Sequence, residues 1–425
     1  MSQKLGFWSV FALVISSQIG TGILILPASL ASFGIFSLIG WVISSCGAMI
    51  LALLFSMLCT RFPQTGGLHI YVKQAFGNSA AFFTGWTYWV ISWVSSVVVV
   101  VEAIGYFMRL IGIYNSFICL FLQILLLLII MLINLRGIRA AGYSELILTL
   151  LKVIPLIIIP VMALLQFDSN NFVMDQKIAN LTSHQILGEV TLLTFWGFFG
   201  VESATVQSSV VDNPSKTIPK AIITGTFCAA IIYIINSIGI MGLVPTKNLM
   251  HSIAPYADAA QIIWGGQWHL IISLIAFIIC IGTLNAWILI SGQIALRLAQ
   301  DGFMPSFFSK INKNGAPVGS LIICCLGILL LLIMTISEDL LKQIRKVIDF
   351  SVVSILFVYL TCSIAFLKLL LTKLDESVLY EWLIAIGSII FCLWIIYKTP
   401  LTDIIISTSF ILSGVPVYFL WYTRQ

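Results

Sequence analysis

The stretch "SSQIGTGILILPASL", residues Ser16–Leu30, lies inside the first long apolar run of the chain. Gly20 and Gly22 flank Thr21, and Pro27 follows shortly after. Glycine weakens a helix, and a helix can stop within hydrocarbon only where its freed backbone groups line a cavity or are buried in protein. The stretch therefore predicts either a helix break that holds a ligand or a close glycine-mediated contact between helices.

The composition is typical of a protein embedded in a membrane. Of the 425 residues, 60% are hydrophobic and only 9% are charged, whereas a soluble domain carries about 25% charged residues. Apolar runs of about 20 residues, which can cross a bilayer as helices, recur from end to end. No polar segment is long enough to form a soluble catalytic domain. The sequence therefore predicts an all-α polytopic membrane protein.

The apolar runs predict about twelve transmembrane helices, separated by polar segments that contain glycine or proline. The predicted spans are 7–31, 35–59, 80–108, 116–134, 142–166, 187–210, 219–244, 266–296, 318–336, 346–370, 380–398 and 401–422. Lys and Arg residues number thirteen on one side and seven on the other. This bias predicts cytoplasmic N- and C-termini in the cell inner membrane, although the outer segment 337–347, with three basic residues, does not follow the rule.

A second interrupted helix favours the ligand-binding interpretation. The stretch "TFWGFFGVESATVQSS", residues Thr194–Ser209 of the sixth span, contains Gly197, Gly200 and the acidic Glu202. Broken segments in corresponding halves of a membrane protein indicate a secondary transporter built from inverted repeats. The predicted units of one transporter domain are a first repeat at 1–166, a second repeat at 167–370 and two C-terminal helices at 371–425.

Other residue types give no sign of an enzyme or of a bound cofactor. The nine cysteines lie mostly in apolar runs without a C-x-x-C pair, and the four histidines lie far apart. The basic residues are scattered, and no phosphate-binding G-x-x-x-x-G-K-[ST] loop occurs. We expect no enzymatic activity, cofactor, metal or nucleic-acid partner. The expected partners are small-molecule substrates and the lipid bilayer.

Six segments of the chain are similar to those of one transporter family. They are "IGTGILILPASLASFG", "FWGFFGVESATVQSSVVDNPSKTIPKA", "IMGLVP", "APYADAA", "LNAWILISGQ" and "DGFMPSFFSKINKNGAPV". They resemble the amino acid–polyamine–organocation superfamily, and most of all its basic amino acid/polyamine antiporters, which include arginine/agmatine and putrescine/ornithine exchangers. The resemblance covers nearly the whole chain. It implies two five-helix inverted repeats with broken helices 1 and 6, alternating access to a central site, and a homodimer.

The resemblance also implies which backbone groups bind the substrate. Gly20, Thr21 and Gly22 match the motif that holds the substrate carboxylate. Gln18 and Ile19 stand where carbonyl groups of the first helix receive the α-amino group. These two sets suit the two charges of an amino acid, because the start of a helix favours an anion and its end favours a cation.

Aromatic and polar side chains of other spans complete the implied site. Trp196 matches an aromatic gate, and Trp287 matches the ring that stacks on the distal cationic group of the substrate. Tyr88 matches a third-helix aromatic residue near the substrate, and Ser96 stands where the arginine exchanger has asparagine. In the tenth span, the implied residues of the site and gate are Ser351, Ser354 and Tyr359.

Among the ionisable residues of the predicted spans, three are candidates for function, since such residues are costly within a membrane and commonly functional. Glu202 matches the sixth-helix acid that the family uses in proton sensing and gating. Lys152 stands where sodium binds in sodium-coupled relatives, which argues against sodium coupling and leaves proton coupling open. Glu102 shares a helix face with Ser95 and Tyr106. It either pairs with the distal ammonium of a substrate or bonds to a neighbouring helix.

The sequence thus predicts a secondary transporter that exchanges a cationic amino acid (arginine, ornithine or lysine) for a related amine (agmatine, putrescine or cadaverine). A proton-coupled amino acid symporter with Lys152 and Glu202 as proton sites is the first alternative. An amino acid sensor that binds without transporting is the second.

Overall fold

The computed structural model describes residues 5–63, 67–113, 115–136, 154–206, 208, 211–334, 340–372 and 378–421. Within these ranges the chain forms helices, short 3₁₀ turns and loops, and no strand beyond isolated bridges. The helices are α1 Phe7–Gln18, α2 Gly22–Leu30, α3 Phe36–Arg61, α4 Leu68–Phe76, α5 Asn78–Val94, α6 Ser96–Ile111, α7 Ser116–Leu135, α8 Ile154–Leu164, α9 Gln176–Ala179, α10 Ser183–Phe195, α11 Ser203–Val206, α12 Pro214–Leu243, α13 Thr246–Leu249, α14 Pro255–Trp264, α15 Trp268–Gln300, α16 Val318–Met334, α17 Leu340–Thr372, α18 Leu379–Lys398, α19 Leu401–Leu412 and α20 Gly414–Trp421.

The prediction of an all-α polytopic membrane protein is confirmed. In the described ranges, nine helical segments are long and apolar enough to cross a membrane, and α8 and α16 are shorter apolar helices. Helices α5 and α6 form one segment of 34 residues with a turn at Ser95. The segment 337–347 was predicted to be a loop, but from Leu340 onward it is the start of α17. Its basic residues therefore belong to a helix.

Both predicted helix breaks are present. Helix α1 ends at Gln18 and α2 begins at Gly22, and both lie within one apolar segment. Helix α10 ends at Phe195 and is followed by a 3₁₀ turn and then by α11, which has four residues. The core helices pack around these segments: α12 lies along α1 and α3, and α15 lies along α6.

A proline weakens α2 just after the first break, and a neighbouring helix compensates for the lost bond. Pro27 has no N–H to donate to the carbonyl group of Ile23, four residues earlier. Asn236 of α12 donates from Nδ2 to that carbonyl at 3.0 Å, and the hydroxyl of Tyr256 donates to Asn236 Oδ1. All three partners are buried, so α2 is held in place by a polar network that apolar side chains cannot replace.

We expect Asn236→Ala to lower the stability of the protein by about 1–3 kcal/mol, because the Ile23 carbonyl then has no donor. Thermal unfolding of the purified protein in detergent measures this loss. The matched control is Asn314→Ala, since Asn314 is exposed in a loop. Equal unfolding temperatures for the two variants would contradict the assigned role of Asn236.

Ion pairs tie two loop helices to the ends of long helices. Helix α4 contributes His69, whose Nε2 lies 3.2 Å from Asp301 Oδ2, and Arg297 Nε donates to the same oxygen at 3.1 Å. Arg109 at the end of α6 donates to Asp258 of α14 at 2.9 Å. Burial disfavours the charge of Asp301, but the His69 and Arg297 contacts outweigh burial and lower the pKa of its carboxyl. This stabilisation is present at neutral pH and is lost only as pH falls through the lowered pKa.

Candidate substrate site between two broken helices

The two breaks contact each other directly. Ser17, in the last turn of α1, has its Oγ 3.1 Å from the carbonyl oxygen of Gly200 and 2.7 Å from Ser203 Oγ. Gly200 has a φ of +91°, and a Cβ at this position would lie 3.0 Å from Ser17 Cβ. Glycine is therefore required at position 200 both by the backbone conformation and by the close approach of the first helix.

The ends of the half-helices present backbone groups of opposite polarity. The Gln18 carbonyl, at the end of α1, accepts hydrogen bonds from the Gly20 N–H at 2.8 Å and from the Tyr233 hydroxyl at 3.0 Å. The first N–H groups of α2, beginning at Gly22, have no acceptor within their own helix, as at every helix start. The end of α1 is thus suited to a cation and the start of α2 to an anion.

A cavity of about 30 Å³ lies between the breaks. Residues of the first break form one wall: Ser17, Gln18, Gly20, Thr21 and Gly22. Trp196 and Phe199 of the second break form another. One water molecule needs about 10–15 Å³ of such space, so the cavity holds only two or three water molecules. An amino acid or a diamine can enter only if these walls move apart.

Side chains of three further helical segments close the cavity. They are Ser95 and Val99 of the α5–α6 segment, Tyr233 of α12, and Thr283 and Trp287 of α15. Ser95 Oγ donates to Ser351 Oγ of α17 at 3.2 Å. The ring of Phe199 lies 6.4 Å from that of Trp287 and 4.8 Å from that of Trp196. The wall therefore combines hydroxyl groups with three neighbouring aromatic rings.

The predicted binding residues fall into two groups. Gln18, Gly20, Thr21, Gly22, Trp196 and Trp287 all line the cavity. Ile19, Tyr88 and Ser96 are buried but do not line it. Ser96 Oγ donates to the Ser92 carbonyl of its own helix turn at 3.1 Å, and the neighbouring Ser95 faces the cavity instead. Lys152 lies outside the described residues.

Glu202, Tyr88 and Tyr359 form a polar cluster beside the second break. Glu202 is fully buried, and its Oε2 accepts a hydrogen bond from the Tyr359 hydroxyl. The Tyr88 hydroxyl also interacts with this carboxyl group. None of the three lines the cavity. The cluster joins the second break to α5 and α17, so a change in either contact affects how these helices pack.

Glu102 lies behind the first break. Its side chain interacts with that of Thr21, which lines the cavity, whereas Glu102 itself does not. The residue is 1% exposed. Ser354, predicted from the tenth span, is also buried but outside the cavity wall.

Some residues of the cavity wall have no distinct signal in the sequence. Phe199 and Val99 are apolar residues within apolar runs, and Tyr233 and Thr283 carry no motif. Their positions follow from the packing of α6, α12 and α15 around the breaks. In the described ranges no three His, Cys, Asp or Glu side chains are grouped so as to hold a metal ion.

Paired broken helices facing one cavity within the membrane are the architecture of secondary transporters. The chain belongs to the amino acid permease family, which it matches over residues 5–421, and it is a transporter protein rather than an enzyme. It is 30% identical to the putrescine transporter PotE of Haemophilus influenzae over 371 residues, which are 87% of this chain and 85% of that protein.

Two relatives from Escherichia coli K12 are similarly close. The putrescine transporter PotE of that organism is 29% identical over 360 residues, covering 84% of this chain and 82% of the relative. The cadaverine/lysine antiporter of the same organism is 29% identical over 337 residues, which are 78% of this chain and 75% of that protein. The resemblance inferred from the sequence segments is thus confirmed at the level of the family.

Proposed function

We propose that the chain is an antiporter that exchanges a cationic amino acid (arginine, ornithine or lysine) for a related amine (agmatine, putrescine or cadaverine). One observation carries the proposal: the cavity is bounded by both broken helices and by Trp287. The names of the relatives, a putrescine transporter and a cadaverine/lysine antiporter, support this class of substrate.

The proposed binding mode uses both ends of the first break. The first N–H groups of α2, with the Thr21 hydroxyl, hold the substrate carboxylate, since a helix start favours an anion. The carbonyl groups of Gln18 and Ile19 receive the α-ammonium. The distal cation lies against the ring of Trp287, where a cation–π contact is worth about 0.5–2 kcal/mol.

Transport then requires the cavity to open alternately to the two sides of the membrane. The proposed gates are Trp196, which packs against Gly22, and the cluster of Glu202, Tyr88 and Tyr359. The predicted spans 7–31, 35–59, 187–210 and 219–244 rock as one bundle against the remaining spans. This bundle takes two spans from each of the two proposed inverted repeats, 1–166 and 167–370. Exchange follows because each substrate has a different affinity in the two states, and no covalent chemistry is needed.

The proposed setting is the cell inner membrane, with both termini in the cytoplasm and two copies forming a homodimer. The distribution of Lys and Arg residues supports the orientation.

Uptake into proteoliposomes tests the proposed function. Labelled arginine, ornithine, lysine and putrescine are each supplied to vesicles that are either empty or loaded with one of these solutes. We expect uptake only into loaded vesicles. Uptake into empty vesicles, driven by an acidic exterior, would instead identify a proton symporter. Binding without any uptake would identify a sensor.

A further inference from the structure

Glu102 is a buried carboxylic acid that the binding mode above does not use. Neither of its carboxyl oxygens accepts a hydrogen bond of regular geometry among the described residues, and the Thr21 side chain interacts with them only outside that geometry. It lies at the first break, since its side chain interacts with that of Thr21. An ionised carboxylate without partners is costly to bury, by several kcal/mol. Glu102 is therefore neutral unless a cation comes close to it.

The described residues around Glu102 supply no such cation. The titratable side chains that sense its charge are Tyr106 on its own helix, Tyr233 on α12 and Cys280 on α15. Tyr256 of α14 lies next to Tyr106. None of these four is basic, and within the described ranges Glu102 forms no ion pair. Since no described side chain balances its charge, that role falls to a substrate or a proton.

The amino acid and the amine that are proposed to be exchanged differ at the end that lies beside Thr21 and Glu102. An amino acid places its carboxylate at the start of α2, beside Thr21, where an ionised Glu102 would repel it. The related amine has lost that carboxylate and retains its ammonium groups. The same place then lacks a negative charge, which Glu102 can supply by releasing its proton.

We propose that Glu102 selects between the two substrates by gaining or losing a proton: it is neutral when the amino acid occupies the cavity and ionised when the diamine does. This inference rests on the proposed exchange of an amino acid for its amine. In this proposal Glu102 responds to the end of the substrate that lies at the first break. It does not pair with the distal ammonium at the other end.

With this change in protonation, the substrate and Glu102 together carry the same charge whether the amino acid or the diamine is bound. Ornithine or lysine carries one net positive charge, and protonated Glu102 adds none. Putrescine or cadaverine carries two positive charges, and ionised Glu102 removes one. Each proton that Glu102 releases when the diamine binds is taken up again when the diamine leaves, so the amino acid then binds beside a neutral Glu102. The protein therefore moves between its two sides with the same total charge in both directions.

Isothermal titration calorimetry in two buffers of different ionisation enthalpy counts the protons released on binding. The ligands are ornithine with putrescine and lysine with cadaverine, pairs that differ by one carboxylate. For the purified full-length protein we expect the diamine to release close to one proton more than the amino acid. Because Glu102 is already neutral in the empty cavity, diamine affinity should rise with pH, whereas amino acid affinity should stay nearly constant.

The variant Glu102→Gln keeps the size of the side chain and removes its charge. We expect it to weaken diamine binding by about tenfold or more, to change amino acid binding by less than about threefold, and to abolish the difference in proton release. Glu102→Asp should restore part of the proton release, which a merely structural role would not do. The control is Glu189→Gln, which removes a carboxylate paired with Arg345 at 3.1 Å outside the cavity.

Two results would overturn the inference while leaving the proposed function intact. One is equal proton release by both ligands of a pair in the wild-type protein. The other is an equal loss of affinity for both ligands in Glu102→Gln, with Glu102→Asp behaving like it. If wild-type protein bound no ligand of either pair, the proposed function itself would fail, and the inference with it.

Discussion

Substitution of Gly22 by alanine is expected to reduce substrate binding and exchange by at least about tenfold. A Cβ at this position would lie 2.9 Å from both Cδ1 and Nε1 of Trp196, closer than such atoms can approach. The Trp196 ring is buried and lies beside Phe199, so it must shift toward the cavity. Overpacking of this kind costs about 1–3 kcal/mol, and the displaced ring also occupies the space that the substrate needs.

The matched control for Gly22→Ala is Gly387→Ala in α18. A Cβ there would have Ile50 as its nearest neighbour at 3.7 Å, which is ordinary contact. We expect this variant to bind and exchange like the wild-type protein, and to be at least as stable, because alanine favours a helix over glycine. If Gly22→Ala bound substrate as tightly as Gly387→Ala, the close approach of α2 and Trp196 would have no role in binding.

Removal of the Tyr359 hydroxyl is expected to slow exchange by about tenfold or more. In Tyr359→Phe the buried Glu202 carboxyl keeps its Tyr88 contact but loses the donor to its Oε2. A buried oxygen that loses its donor costs about 1–3 kcal/mol. That loss falls on the contact between the second break and α17, which is one of the proposed gates. The exchange rate in proteoliposomes measures it, alongside binding affinity.

A double-mutant cycle separates the Tyr359–Glu202 contact from unrelated effects. The variants are Tyr359→Phe, Glu202→Gln and the two combined, and we expect the double variant to be little worse than the poorer single one. The control Tyr380→Phe removes the hydroxyl of an exposed tyrosine and should leave exchange unchanged. Strictly additive losses would show that the two side chains act independently.

The positions of the two breaks could be predicted from the sequence because their physical cause is local. Glycines at 20, 22, 197 and 200 interrupt apolar runs that would otherwise be continuous helices. Backbone freed within a membrane must line a cavity or be buried, so the breaks also indicated the site. Trp196 was predicted to lie beside the second break for the same reason, and it does line the cavity.

The cavity-wall residues outside the two breaks could not be predicted in the same way. Their positions depend on how helices distant in the sequence pack together, and the local residue pattern does not specify this packing. Ser95 and Ser96 are adjacent residues, yet about 100° of helix rotation separates them, and Ser95 is the one that lines the cavity. Tyr88 contacts Glu202 and does not line the cavity. The proximity of Glu102 to Thr21 likewise depends on the packing of α6 beside the first break.

The structure of the protein with saturating ornithine or putrescine bound is the most direct test of the central claim that the cavity between the breaks is the substrate site. We expect the ligand to lie between the Gly20–Gly22 backbone and the rings of Trp196 and Trp287, in a cavity enlarged from about 30 Å³. The chain has another cavity, of about 720 Å³, lined by Met108, Gln123 and Leu340 among others. A ligand found only in that second cavity, with the space between the breaks still closed, would contradict the account.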